Sequence, residues 1–150
     1  MANDRQYQPK TTIIATRNVH DYRATIEEVV RADDRVLEIG CEWGTTSAFL
    51  ARRAQQVLAT DISDTCLVRA RQQHPELRFA RLDAFDLRAL LGLGEHFTVV
   101  YIDVSGLSGF RSTLDVLSLL NSYAALLDLR TIVVKSGALV NLARRLEARP

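Results

Sequence analysis

Short apolar runs alternate with amphipathic segments along most of this chain. Runs rich in β-branched and other apolar residues predict five strands, at Arg35–Ile39, Val57–Thr60, Leu77–Ala80, Phe97–Ile102 and Thr131–Val134. Segments with helical spacing predict helices at Val19–Arg31, Thr45–Ala54, Asp64–Gln73, Ala84–Leu91, Ser108–Leu127 and Ala138–Ala148. Residues 1–17 carry little periodicity, which is typical of an extended or loosely packed arm.

This alternation of strands and helices predicts an α/β fold. We expect an open, mainly parallel, doubly wound sheet of order 3-2-1-4-5 with helices on both faces. Since 150 residues fit a single core, we expect an arm over residues 1–18 and one domain over 19–150. Ligands of such sheets bind at the carboxyl ends of the strands, so the search for chemistry starts there.

Composition narrows the class of protein. Hydrophobic residues make up 47% and charged residues 25%, the balance of a soluble globular protein. The chain lacks a membrane span and its first twenty residues lack an apolar signal core, which predicts a cytoplasmic location. Cys41 and Cys66 lack the spacing of a zinc site, so we expect no metal. The net charge of +1 provides no global basic field for nucleic acid.

The first predicted strand continues into a glycine loop, Glu38-Ile39-Gly40-Cys41-Glu42-Trp43-Gly44, and a helix then begins at Thr45. Glycines let a backbone turn tightly and pass close to a ligand, and a helix start offers free amides. The loop lacks the Gly-Lys-Ser/Thr of triphosphate-binding loops, and Glu42 replaces the second glycine of GxGxxG. The alternative is that its two glycines are purely steric.

Carboxylates also stand at the ends of the next three strands, at Asp61, Asp83 and Asp103. Asp61 is placed to accept hydrogen bonds from the two hydroxyls of a ribose. Asp83 is placed to accept from an adenine amino group, and Ala84 offers a backbone amide. Aspartate is common at helix caps and turns, which explains any one of these residues but explains the whole set poorly.

From about Val19 onwards the chain resembles the Rossmann-like S-adenosylmethionine-dependent methyltransferases, whose acidic-x-Gly-x-Gly-x-Gly loop it matches at Glu38, Gly40 and Gly44. The resemblance implies the cofactor S-adenosyl-L-methionine, with its ribose on Asp61, its adenine on Asp83 and its methionine portion on the loop backbone. The implied cofactor-binding residues are Glu38, Gly40, Cys41, Glu42, Trp43, Gly44, Thr45, Asp61, Ile62, Asp83, Ala84 and Asp103.

Lys135 follows the fifth predicted strand and is one of only two lysines, with Lys10, among nineteen basic residues. Parallel neighbouring strands should bring Lys135 beside Asp103. A desolvated lysine can act as a base, whereas arginine in practice does not. The pair is similar to that of RNA ribose 2′-O-methyltransferases of the fibrillarin and heat-shock types, which implies catalytic roles for Asp103 and Lys135. The alternative is a strand-end lysine that reaches solvent or pairs with a cofactor-site acid.

The chain stops one helix after the fifth strand, without the terminal β-hairpin usual in this family. We therefore expect an open edge at the fifth strand, covered by a second subunit or another partner. The leading functional prediction is a methyltransferase whose acceptor, RNA or a small molecule, is unidentified. One alternative is a non-catalytic module that binds the cofactor. A dinucleotide or nucleotide-sugar enzyme is the other, and the missing GxGxxG disfavours it.

Overall fold

The computed structural model describes residues 10–104, 106 and 109–147, with only the backbone of Phe110. Its strands are β1 Thr12–Thr16, β2 Arg35–Ile39, β3 Gln56–Asp61, β4 Arg78–Arg81, β5 Val99–Ile102 and β6 Thr131–Lys135. Its α-helices are α1 Val19–Val29, α2 Thr45–Ala51, α3 Asp64–Gln73, α4 Leu87–Gly92, α5 Thr113–Leu126 and α6 Gly137–Ala143, and a 3-10 turn spans Phe110–Ser112.

All six strands form one parallel sheet in the order β1-β6-β5-β2-β3-β4. The five predicted strands are present in the predicted 3-2-1-4-5 order, which confirms the α/β fold class. The sixth strand, Thr12–Thr16, comes from the segment predicted to be a loose arm. It pairs with β6 from Thr12 opposite Thr131 to Thr16 opposite Lys135, so the prediction of an open edge at the fifth strand is wrong. The domain boundary after residue 18 stays a prediction.

Both faces of the sheet are covered, because side chains alternate along each strand. Val36 of β2 packs with residues of α1 and α2, whereas Leu37 packs in a larger cluster with residues of α4, α5 and α6. Leu67 of α3 packs on Ala59 of β3. None of the helices in the described part of the chain is long and apolar enough to cross a membrane, and the cytoplasmic location stays a prediction.

A buried ion pair at the amino ends of the strands links the segments that precede β2, β5 and β6. The carboxylate of Asp34, only 3% exposed, accepts hydrogen bonds from the backbone N–H of Arg31, the hydroxyl of Thr98 and the guanidinium of Arg130, the last at 2.5 Å. These partners stand at the end of α1 and just before β5 and β6. The strands therefore start together, and their carboxyl ends meet at the opposite edge.

Two helices begin several residues later than predicted, and helices α2 and α6 end before the predicted Ala54 and Ala148. Helix α4 begins at Leu87 rather than Ala84, because the Asp83 carboxylate accepts from the N–H of Phe85 in a turn and Asp86 caps the helix at Ala89. The helix predicted from Ser108 begins at Thr113, and Ser108 itself lies outside the described residues.

Candidate functional site at the carboxyl edge of the sheet

The glycine loop after β2 is held on β3 by its own backbone. The N–H groups of Gly40 and Cys41 both donate to the carbonyl of Thr60, at 2.8 and 2.9 Å, and the N–H of Gly44 donates to the carbonyl of Cys41 at 2.8 Å. The loop takes left-handed conformations at three positions, with φ of 81° at Gly40, 49° at Glu42 and 84° at Gly44. These bonds and conformations define the course of the loop backbone.

Both loop glycines are required by the chain itself. A methyl group added at Gly40 would collide with the carbonyl oxygen of Asp103, which β5 places against the loop. One added at Gly44 would lie 3.0 Å from the side chains of His74 and Phe79. The steric explanation thus accounts for these two glycines, and most of the loop N–H groups are engaged within the protein.

Glu42 stands where the family loop has its middle glycine, and it keeps the left-handed conformation that glycine adopts most easily. Its N–H donates to Oδ2 of Asp61 at 2.9 Å, and its side chain is exposed. The substitution therefore preserves the course of the loop at the expense of backbone strain.

Asp61 lies at the end of β3, beside this loop. Its second oxygen accepts from the N–H of Ser63 at 2.9 Å. A carboxylate has about four acceptor positions, so each oxygen keeps one for a ligand hydroxyl. Ile62 next to it is 55% exposed, an open apolar surface at the strand end.

Asp83 and Ala84 follow β4. Asp83 is exposed and Ala84 is buried, with its carbonyl accepting from the hydroxyl of Tyr123 at 2.8 Å. Asp61 and Asp83 therefore both shape turns, as the alternative explanation requires, and both still face solvent with spare acceptor capacity.

Glu38 lies beneath the loop and is only 1% exposed. Its carboxylate accepts a short hydrogen bond from the hydroxyl of Ser47 in α2, and the hydroxyl of Thr60 donates to its backbone carbonyl at 2.7 Å. Burial raises the pKa of Glu38 to about 7; the bond from Ser47 lowers it and the nearby Asp103 carboxylate raises it. Glu38 is therefore buried beneath the loop and joined to α2 through Ser47, and its role in binding stays a prediction.

Asp103 and Lys135 meet as expected. Their Oδ1 and Nζ atoms are 2.7 Å apart, with the side chains 20% and 25% exposed. The other lysine, Lys10, precedes the amino end of β1, and β1 runs parallel to β6, so Lys10 is not brought to this pair. The catalytic role of the pair stays a prediction.

Three neighbouring residues were missed at the sequence level. Tyr22 of α1 is fully buried, and its hydroxyl has no hydrogen-bond partner within the described residues. Burial, followed by the charges of Glu38 and Asp103, raises the pKa of Tyr22 well above its ordinary value. Arg23 donates to the hydroxyl of Thr46 at 2.9 Å. The helical spacing of α1 marked Tyr22 only as a core residue.

The exposed rim of the loop carries the third missed residue, Arg69. Its guanidinium carbon lies 3.6 Å from the ring centre of Trp43, which is 39% exposed. The indole is therefore at the surface of the loop under an arginine from α3, an arrangement that no spacing in the sequence predicts.

The remaining loop positions carry little chemistry of their own. Cys41 is buried, and burial raises the pKa of its thiol, which disfavours the nucleophilic thiolate. Thr45 is the exposed first residue of α2. No group of three or more His, Cys, Asp or Glu residues suited to a metal ion occurs among the residues that the structure describes.

The methyltransferase domain family matches residues 36–127, more than half of the chain. The chain belongs to this family. The matched range includes the glycine loop, Asp61, Asp83 and Asp103, whereas Lys135 lies beyond it, so its proposed role depends on geometry alone. No curated protein is significantly similar to the whole sequence.

Solved structures of methyltransferases share the fold. DesVI from Streptomyces venezuelae has a TM-score of 0.60 at 22% identity, over 77% of this chain and 51% of that one. An rRNA methylase from Streptococcus thermophilus has 0.56 at 17%, over 88% and 81%. A TehB-like SAM-dependent methyltransferase from Corynebacterium glutamicum has 0.55 at 19%, over 77% and 62%. The chain thus spans about half the length of DesVI and 62% of the TehB-like protein.

Proposed function

We propose that this chain binds S-adenosyl-L-methionine at the carboxyl edge of its sheet and transfers the methyl group to an acceptor. The observation that carries the proposal is the convergence of the glycine loop, Asp61 and Asp83 at one edge, over the buried Glu38. Membership of the methyltransferase domain family supports it. When bound, the cofactor supplies an electrophilic methyl group on a sulfonium.

In this proposal each group of the edge has one task in binding. Asp61 accepts from the ribose hydroxyls with the positions that Glu42 and Ser63 leave free. Asp83 accepts from the adenine amino group, and the backbone of the loop from Gly40 to Gly44 lies against the methionine portion. The carboxylate of Asp103 favours the methionine ammonium at this end, and Glu38, with a pKa of about 7, adds its negative charge only above neutral pH.

Asp103 and Lys135 then orient the acceptor. Methyl transfer needs the acceptor atom in line with the methyl group and water kept away, more than it needs covalent help. An ion pair held at 2.7 Å and about one-fifth exposed can bind a hydroxyl through the ammonium and hold its direction. A ribose hydroxyl of RNA and a small molecule are the two acceptor classes that we carry forward.

Calorimetric titration with S-adenosyl-L-methionine, S-adenosylhomocysteine and NAD tests the cofactor. We expect binding of the first two and not of NAD. Asp61→Asn should weaken binding roughly 10-fold or more, because a hydrogen bond to a charged group contributes about 1.5–3 kcal/mol. Asp64→Asn, a change of an exposed carboxylate three residues further on, is the matched control and should leave the affinity unchanged. Equal affinities of the two variants would reject the ribose assignment.

A non-catalytic module that binds the same cofactor is the second candidate, since Lys135, on which the proposed orientation of the acceptor depends, lies outside the residues that the family matches. Transfer of radiolabelled methyl groups to RNA, protein and small-molecule fractions separates it from an enzyme. Lys135→Arg keeps the positive charge and should lose transfer while retaining cofactor affinity. Transfer at the unmodified rate in Lys135→Arg would show that the pair does not orient the acceptor.

A further inference from the structure

Strand β1 is the edge strand of the sheet in the described part of the chain. Among the described residues it pairs with β6 alone. Edge strands of natural proteins usually carry charges, prolines or bulges that prevent pairing with another chain. The sequence of β1, Thr-Ile-Ile-Ala-Thr, has no charge and no proline. This edge is therefore suited to strand pairing.

The hydrogen bonds of β1 show which groups face the open edge. The N–H of Thr12 donates to the carbonyl of Arg130 at 3.0 Å, and the carbonyl of Thr16 accepts from Ser136 at 2.9 Å. The N–H and C=O of one strand residue point to the same side, and the side alternates along the strand. The backbone groups of Ile13 and Ala15 therefore point outward.

The strand is close to self-complementary about its centre. In an antiparallel pair centred on Ile14, Thr12 of one copy lies opposite Thr16 of the other, and Ile13 lies opposite Ala15. Ile13 and Ala15 then form the hydrogen-bonded pairs, with about four bonds across the junction, and the two Ile14 residues form a non-hydrogen-bonded pair on the axis. The residues whose backbone groups point outward, Ile13 and Ala15, are therefore the ones that a two-fold axis through Ile14 pairs with each other.

A cavity beside this edge fits the same arrangement. It has a volume of about 610 Å³ and is lined largely by apolar residues of β1, α5 and α6, including Ile13, Leu117 and Val140. Helix α6 follows the carboxyl end of β6 and has seven residues, about 10 Å, so it covers β1 only in part and Ile13 stays 46% exposed. Antiparallel pairing brings the α6 of one copy, at the carboxyl end of its own β1, alongside the less covered amino end of the other β1.

We propose that two copies of this chain associate by antiparallel pairing of their β1 strands about Ile14, which joins the two sheets into one. A second copy is the occupant because a two-fold contact requires one surface to match itself, which this strand does in sequence and in hydrogen-bonding phase. The edge of β6, for which the sequence predicted a partner, is covered by β1 of the same chain. The proposed dimer contact therefore lies on the outer side of β1. The inference does not depend on cofactor binding.

Sedimentation equilibrium of the full chain tests the proposal. We expect twice the 16.8 kDa of one chain at micromolar concentrations. Ile13→Lys should shift the mass to that of one chain, because it places charge on the edge. Leu114→Lys, at a leucine of α5 that is 79% exposed, makes the same chemical change and should leave the dimer intact. A single-chain mass at about 100 µM would overturn the proposal.

Cysteine cross-linking decides the register, and it also decides the outcome where Ile13→Lys fails to fold. Paired residues at position 14 have Cα atoms about 4.5 Å apart, within disulfide range, so Ile14→Cys should form a linked dimer under mild oxidation. Position 13 faces position 15 instead, and two such thiols are about 8 Å apart at Cα, so Ile13→Cys should cross-link at least tenfold more slowly. The unmodified chain controls for Cys41 and Cys66. Equal cross-linking at the two positions would reject this pairing.

Discussion

Replacing Glu42 with glycine should increase the stability of this protein, although glycine usually decreases it. A residue with a Cβ pays about 1–2 kcal/mol in the left-handed region, where Glu42 lies with φ of 49°. Glycine avoids that strain but loses about 0.5–1 kcal/mol through the greater freedom of the unfolded chain. Glu42→Gly should therefore be more stable than Glu42→Ala by about 0.5–1 kcal/mol, and both variants lose the same carboxylate.

Urea denaturation followed by far-UV circular dichroism measures this difference. The same two substitutions at Ser118, an exposed residue within α5, give the control, where glycine should be less stable than alanine by about 1 kcal/mol. The order of stability should thus reverse between the two sites. If Glu42→Ala matches or exceeds Glu42→Gly in free energy of unfolding, the left-handed loop is not strained and our account of Glu42 is wrong.

Three further predictions concern the interior of the site. Between pH 4.5 and about 7 folded Glu38 keeps a proton that the unfolded chain releases, so its stabilising contribution is full below pH 4.5 and lost by about pH 7. Over that range the free energy of unfolding of the unmodified chain should fall by roughly 3 kcal/mol more than that of Glu38→Gln, as measured by urea titrations at each pH. Parallel pH dependences of the two proteins would contradict this. Tyr22→Phe removes a buried hydroxyl without a partner among the described residues, and should raise the free energy of unfolding by about 1 kcal/mol. A decrease of about 1 kcal/mol in the free energy of unfolding would instead reveal a hydrogen bond that we have missed. Gly40→Ala should lower the thermal midpoint steeply or prevent folding, because its methyl group meets the backbone of Asp103, whereas Gly92→Ala, with open space around it, should be tolerated; similar midpoints would refute the contact.

The fold was predictable where apolar periodicity is strong. The runs at β2, β5 and β6 are buried on both faces, so their sequence carries a clear signal, and their parallel order followed from the helices between them. Strand β1 was missed because it has only five residues and is partly exposed at the sheet edge, where propensity alone does not decide structure. Its pairing with β6 joins residues more than one hundred positions apart, which local patterns do not report.

The site was predictable to the extent that strand ends converge. Asp103 and Lys135 were expected to meet because they end neighbouring parallel strands, and their ion pair is present. The roles of Gly40 and Ser47 were not accessible, since they depend on contacts with Asp103 and Glu38 that only the packed structure defines. The same holds for Tyr22, whose spacing on α1 is that of any core residue.

The position of Trp43 has a practical consequence. It is the single tryptophan of the chain, and it stands on the glycine loop under the guanidinium of Arg69. Tryptophan emission depends on the polarity and charge around the indole, so the tryptophan fluorescence of this protein originates from one known place. A titration that changes the emission reports an event at the loop, without a label and without a second tryptophan to dilute the signal.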